Sequence, residues 1–261
     1  PFRVETLERW GPSAHMLLSK IKLITFDVTN TLLKFKVPAW QYYAMVAQDH
    51  GFKGTPEDVK TKFKISFKHM WEEHPNFGKK SIKWEDWWCK VVIMTLSDYL
   101  PSNAKLDVIA HRLIEEFKTD RCWACVDGGH KLIDHFRTLG IPVGVISNFD
   151  PRLYDILQNV GLYKNFDFIV TSYEAGYSKP DERIFKSAID KCTTTVSPSE
   201  ALHIGDDVVK DYEGARMAGW HALLVNPSIS QQAKVSQNHI FKMSSNHLIW
   251  EMLVNQLFLV H

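Results

Sequence analysis

From about Val126 onward, short runs of β-branched and aliphatic residues alternate with stretches of helical periodicity, and that alternation leaves few folds open to the chain. Residues 141–146, 168–171, 201–204 and 221–225 have the length and composition of buried strands. Between them the spacing predicts helices over 128–139, over 150–161, from Pro180 onward and once more before His221, with Gly140 and Gly161 ending the first two. An earlier run of the same kind covers residues 21–26. Each crossover helix brings the chain back to the same edge of a sheet and packs on one of its faces. The expected fold class is therefore α/β, a doubly wound parallel sheet of the Rossmann-like type. Sheets of this kind bind ligands in the crevice beyond the carboxyl ends of their strands.

Three of the runs end directly on residues that carry chemistry. Asp27 follows the first, Ser147-Asn148 follows the run at 141–146, and Gly205-Asp206-Asp207 follows the run at 201–204, with Asp211 four residues beyond Asp207. Mg²⁺ takes hard oxygen ligands in an octahedron and completes its shell with waters and a substrate phosphate, so Asp27 and Asp206 are its candidate carboxylates. Asp207 and Asp211 add acids that either bind through water or orient the ligands. A carboxylate beside a divalent cation can also attack phosphorus, dividing one hard displacement into two easier ones, and Asp27 is the candidate nucleophile. The Ser147 hydroxyl and the Asn148 backbone N–H are placed to hold phosphate oxygens, and Lys179 to neutralise charge on the transferring group. Each motif alone has a plainer reading. Asp207 or Asp211 suits a helix cap, Ser147-Asn148 a turn, and Lys179-Pro180 the start of a helix. Their common order behind strands points to one phosphate-handling magnesium site.

Between Pro38 and about Asp120 the pattern is helical throughout. Pro38 suits a first helical turn, and Thr55-Pro56-Glu57-Asp58 supplies a capping residue, a first-turn proline and two acids that suit the helix dipole. Two further helices are expected over 83–99 and 103–118. The division that follows is a leader over residues 1–15, disordered and outside the fold, a core domain over 16–36 and 126–261, and an inserted all-helical cap domain over 37–125. The tryptophans of the insert, Trp71, Trp84, Trp87 and Trp88, together with Trp123, read as a packing stripe before they read as a pocket lining.

Composition narrows the partners. With 31 Lys plus Arg against 30 Asp plus Glu and no long basic block, electrostatic capture of nucleic acid or an anionic membrane has little to work with, which leaves a small substrate. The sequence sets no oligomeric state. No run approaches the about 18 apolar residues of a membrane span, so the expected setting is soluble and intracellular, cytoplasmic or nuclear. Cys122-x-x-Cys125 has no second pair and no nearby histidine at zinc spacing, so it reads as reduced thiols rather than a metal site.

Taken together, Asp27-Val-Thr-Asn-Thr31, Ser147, Lys179 and Gly205-Asp206 with Asp211 resemble the signatures of the haloacid dehalogenase-like hydrolases. Their pattern is Asp-x-Asp-x-Thr, then Ser or Thr, then Lys, then Gly-Asp-x-x-x-x-Asp. The resemblance runs from Lys22 to Val225 and is nearest to a branch with a Trp-rich cap. It implies a cap domain that closes over a small phosphorylated substrate, Mg²⁺ as cofactor, and hydrolysis of a phosphomonoester through an aspartyl-phosphate on Asp27. It also implies Asp27, the carbonyl of Thr29, Asp206 and Asp211 as metal ligands, and Ser147, Asn148 and Lys179 as phosphate-binding groups.

Position 29 departs from that pattern. The family's second Asp gives a proton to the leaving oxygen and takes one from the attacking water, a role worth about 10²- to 10⁴-fold in rate, and the Thr29 hydroxyl cannot fill it near neutral pH. Slow hydrolysis is the expectation, with a phosphate-binding protein that has lost turnover as the alternative. Asn30 replaces the usual Gly and tolerates the positive φ the turn requires. True dehalogenation needs an Arg near the nucleophile, and the stretch after Asp27 offers only Lys34 and Lys36. Phosphonate cleavage would need a Schiff-base lysine from the cap, for which Lys53, Lys60 and Lys62 stand as candidates.

Overall fold

A computed structural model of the chain describes residues 19–225. The expected leader and the last part of the expected core, residues 226–261, lie outside the described residues.

The core is a parallel sheet of five strands in the order β5-β4-β1-β6-β7. These are β1 (Leu23–Phe26), β4 (Val143–Ser147), β5 (Phe168–Thr171), β6 (Ala201–Gly205) and β7 (His221–Leu224). Every strand foreseen from the apolar runs is present. β1 starts two residues later than its run because Lys22 lies exposed and pairs with Glu200 at 2.6 Å, while β4 starts behind Pro142, which has no N–H to give a ladder. β1 sits in the middle, with Ile24 opposite Val143 on one side and opposite Leu202 on the other.

Alternation along the strands divides the core into two layers. On one face Ile24 and Phe26 pack with Ile133, Phe136, Leu153 and Leu157 from α5 (Gly129–Thr138) and α6 (Arg152–Asn159). On the other, Leu23 and Ile146 pack with Ile184, Phe185, Ala188 and Ala215 from α8 (Glu182–Ile189) and α9 (Gly214–Met217). A single turn, α7 (Ser172–Ala175), follows β5 directly.

The insert carries α1 (Ala39–Gln48), α2 (Pro56–Glu73), α3 (Trp84–Leu96) and α4 (Leu106–Glu116). Thr55 and Asp58 form a reciprocal capping box at the start of α2, as their spacing predicts. The tryptophan stripe is mostly core. Trp87 is fully buried, its indole N–H donates to the carbonyls of Met70 and His74, and Phe67, Phe77 and Trp88 crowd it at centroid distances of 5.0–5.4 Å.

Trp88 does something else. Its indole N–H donates across to Asp150 Oδ2 at 2.7 Å, just past the end of β4, and Asn76 of the insert donates to the carbonyl of Ser172, just past β5, also at 2.7 Å. These bonds seat the insert over the carboxyl ends of the strands.

One feature departs from an all-helical reading of the insert. β2 (Leu33–Phe35) and β3 (Trp123–Cys125) pair antiparallel, Phe35 opposite Trp123, as a short ribbon where the chain leaves the core and returns to it. Three-residue strands this far apart in sequence leave no periodicity to read. Among the described residues, no helix is long and apolar enough to cross a membrane, and Cys122 and Cys125 are free thiols.

Phe26 is fully buried at the centre of this arrangement, 6.3 Å from the Phe136 ring. Phe26→Ala is expected to lower the unfolding free energy by about 3–5 kcal/mol in urea titration, the cost of a large cavity in a two-sided sheet core; a loss below 1 kcal/mol would contradict the packing described.

Candidate active site

Asp27 follows the last residue of β1, and its backbone N–H still donates to Ile204 of β6 at 2.8 Å, so its side chain leaves the sheet in a fixed direction. Oδ1 accepts from the Ser147 hydroxyl at 3.1 Å and from Lys179 Nζ at 2.8 Å. The same ammonium reaches Asp211 Oδ1 at 2.6 Å and the carbonyl of Ile146 at 2.7 Å, which uses all three of its N–H groups. Asp27, Lys179 and Asp211 are all buried.

The Asn148 side chain has a task of its own, apart from that expected of its backbone N–H. Its side chain brackets the main chain of Lys179, donating to the lysine carbonyl at 2.9 Å and accepting from the lysine N–H at 2.7 Å. The loop after β4 and the lysine segment are thereby tied together, which holds Ser147 and Lys179 on the same side of Asp27.

Asp206 and Asp207, adjacent in sequence, separate in space. Asp207 turns outward, caps Val209 and Lys210 through Oδ1 and pairs with the Lys210 ammonium at 2.8 Å. It is the helix cap that the plainer reading allowed. Asp206 instead joins Asp27 and Asp211, with one carboxylate oxygen from each lying within 4.8 Å of the others.

The segment behind them, Val208–Glu213, is wound as a π-helix, a widened turn that is rare outside functional sites. That winding leaves Val209 and Lys210 in solvent and directs Asp211 inward, where Oδ2 accepts from the Asp207 N–H at 2.9 Å. Gly205 makes room for it: a Cβ on that residue would run into the Asp211 carboxylate.

Charge in this crevice is unbalanced. Burial pushes the Asp27 carboxyl up, with Lys179 pulling the other way. Burial together with Asp27 and Asp211 pushes Asp206 up to about 6, against a hydrogen bond from the Asn30 side chain. Asp211 is held well below the usual carboxylate range; burial opposes this, but Lys179 and His203 prevail. Lys179 is raised despite its burial, because Asp27 and Asp211 both favour its charge.

Three carboxylates thus face one ammonium, and Asp206 bears the surplus repulsion. Hard, crowded oxygen donors with residual negative charge fit a divalent cation such as Mg²⁺. Asp211 already accepts from His203, Lys179 and the Asp207 N–H, which leaves it little capacity for a cation beyond a bridging water.

Thr29 is half-buried in the loop after Asp27, bridged to Leu33, and Asn30 takes the left-handed backbone at φ 62° that the family's glycine would occupy. Sequence reading overlooked Thr25 and His203. Both are fully buried and linked to each other, and His203 Nε2 lies 3.2 Å from Asp211 Oδ1. A polar residue in the middle of each apolar run was the available signal. Asp150 and Arg152 were overlooked too. They form a buried ion pair at 2.7 Å beneath Trp88, whose ring lies 4.4 Å from the guanidinium.

A family model described as haloacid dehalogenase-like hydrolase matches residues 21–219. The Rhythmically expressed gene 2 protein of Drosophila melanogaster is 34% identical over 258 residues, covering 89% of this chain and 99% of that protein. The haloacid dehalogenase-like hydrolase domain-containing protein 3 of Homo sapiens is 36% identical over 214 residues, covering 81% of this chain and 84% of its own length. Among solved structures, the YfnB protein of Bacillus subtilis bound to magnesium superposes with a TM-score of 0.60 at 21% identity, over 81% of this chain and 91% of that one. A likeness at that identity carries the fold.

Removing the ammonium tests the charge balance directly. Lys179→Met leaves buried carboxylates without their counter-ion and is expected to cost about 3–5 kcal/mol of stability in EDTA, as read by urea unfolding. Millimolar Mg²⁺ should recover part of that loss, and unchanged stability in EDTA would refute the account.

Proposed function

The chain belongs to the haloacid dehalogenase-like hydrolases, and from that membership and the geometry of the crevice we propose that it is a Mg²⁺-dependent phosphomonoester hydrolase working through an aspartyl-phosphate on Asp27. The observation that carries this reading is the convergence of Lys179 and Ser147 on one oxygen of Asp27, beside two further acids. One oxygen is anchored while the other has no hydrogen-bond partner among the described residues, which is the preorganisation a carboxylate nucleophile needs.

In this proposal Asp27, Asp206 and the backbone carbonyl of Thr29 hold the cation, with Asp211 acting through water. The cation, when bound, supplies charge that draws the phosphate in and stabilises its oxygens as they gain charge. Ser147 and the Asn148 N–H hold phosphoryl oxygens. Lys179 favours the ionised form of Asp27 against its burial and faces the charge that builds during transfer. Water then cleaves the acyl-phosphate bond, returning Asp27 and releasing phosphate. The insert, seated by Trp88 and Asn76, serves as the cap that keeps bulk water from the crevice.

Thr29 favours one rival, a phosphate-binding protein that no longer turns over, because position 29 offers neither a proton to the leaving oxygen nor a base for the water. Leaving-group chemistry separates the two readings. With an aryl phosphate, whose leaving oxygen needs little protonation, and Mg²⁺, the purified protein should show slow hydrolysis that disappears in Asp27→Asn. Thr29→Asp should raise the rate on alkyl phosphates by about 10²-fold or more, and the aryl rate by less. Equal turnover by wild type and Asp27→Asn rejects the mechanism; binding without turnover, together with activity gained in Thr29→Asp, selects the rival.

A further inference from the structure

We propose that His203, oriented by Thr25, is the positioning residue that fixes Asp211 and through it the cation site. This rests on the reading of the acidic cluster as a magnesium site. Thr25 of β1 and His203 of β6 are direct partners in the parallel ladder, and both are fully buried. A threonine and a histidine in the interior of a sheet are costly unless their polar atoms are satisfied. Here they are satisfied by each other and by the site: Thr25 Oγ1 lies 2.8 Å from His203 Nδ1, and His203 Nε2 lies 3.2 Å from Asp211 Oδ1. The Phe185 ring meets the imidazole edge-on at a centroid distance of 5.4 Å and an angle of 84°, which removes the space for the ring to turn.

The hydrogen bonds run in one direction only. Asp211 is salt-bridged to Lys179 and is a carboxylate, so it accepts, and Nε2 must carry the hydrogen. In a neutral imidazole Nδ1 is then the bare nitrogen, and the Thr25 hydroxyl donates to it. Asp211 thus selects the tautomer, the Thr25 hydroxyl anchors the ring by donating to the bare Nδ1, and the ring so held keeps Asp211 oriented toward Lys179 and the shared cation. Metal sites commonly use such an outer partner to orient a ligand, and its loss typically costs about 10- to 100-fold in affinity. In Thr25→Val the hydroxyl is replaced by a methyl of equal size. Nδ1 is left as a buried acceptor without a donor, and the ring loses the anchor that holds it against Asp211.

Mg²⁺ titration by calorimetry on the purified full chain reads this out without any substrate, with circular dichroism and thermal unfolding in EDTA as fold controls. Thr25→Val and His203→Leu are expected to bind Mg²⁺ about 10- to 100-fold more weakly than wild type. His203→Gln, whose amide N–H can stand in for Nε2–H, should stay close to wild type. The ¹⁵N shifts of His203 should report a ring protonated at Nε2 with a hydrogen-bonded Nδ1 in the wild type, and the Nδ1 shift should move to that of a bare nitrogen in Thr25→Val. Should His203→Leu fail to fold, the isosteric Thr25→Val decides alone. Wild-type affinity in Thr25→Val, or a His203→Gln as weak as His203→Leu, overturns this inference while leaving the magnesium site standing. A wild type that takes up no Mg²⁺ overturns both together.

Discussion

One ammonium group, Lys179 Nζ, lies between the carboxylates of Asp27 and Asp211, and the crevice depends on that shared charge. Two buried acids, one just past β1 and one on the π-helix behind β6, would repel each other in a medium that screens poorly. A third acid, Asp206, stands beside them with no such partner among the described residues and carries the excess as an upward shift in its carboxyl. The arrangement is stable enough to fold, yet it keeps negative charge where a cation can gain most from it. A crevice neutralised completely by protein groups would have no such use.

The rest of the molecule can be seen as holding that charge in place. β1 and β6 are neighbours, so Asp27 and Asp206 leave the sheet side by side, while β4 on the opposite flank brings Ser147 to the same oxygen that Lys179 binds. Asn148 locks the lysine segment to the loop after β4. Asp150, two residues later, accepts from Trp88 of the insert and pairs with Arg152. Phosphate loop, lysine and insert are therefore one connected polar structure. Motion of the insert cannot leave the Ser147 loop untouched.

Much of this was legible in the residues. The apolar runs located each strand of the sheet to within two residues, because a strand buried on both faces is mostly apolar, Thr25 and His203 being the exceptions in β1 and β6. The acids and hydroxyls behind those runs identified the crevice, since ligand chemistry gathers at strand ends in parallel sheets. The helix cap at Thr55 followed from side-chain chemistry, and the positive φ at Asn30 from the glycine that the family pattern has at that place. What stayed hidden were contacts between residues distant in the chain. The ribbon joining Phe35 to Trp123, the bond from Trp88 to Asp150 and the Thr25–His203 pair are all of this kind.

By itself the sequence determined the order of elements and the polar residues at their ends, because each of these is a matter of local composition and spacing; the missing acid at position 29 is visible only against the family's pattern. The residues alone offer Asp207 and Asp211 as near equals and the family pattern favours Asp211, but only the tertiary structure gives the physical reason. A π-helical turn sends the first out to Lys210 and the second in to Lys179. The direction of a side chain at the end of a strand depends on the winding of the next few residues and on the space left by Gly205, and neither is written in the identity of the acid.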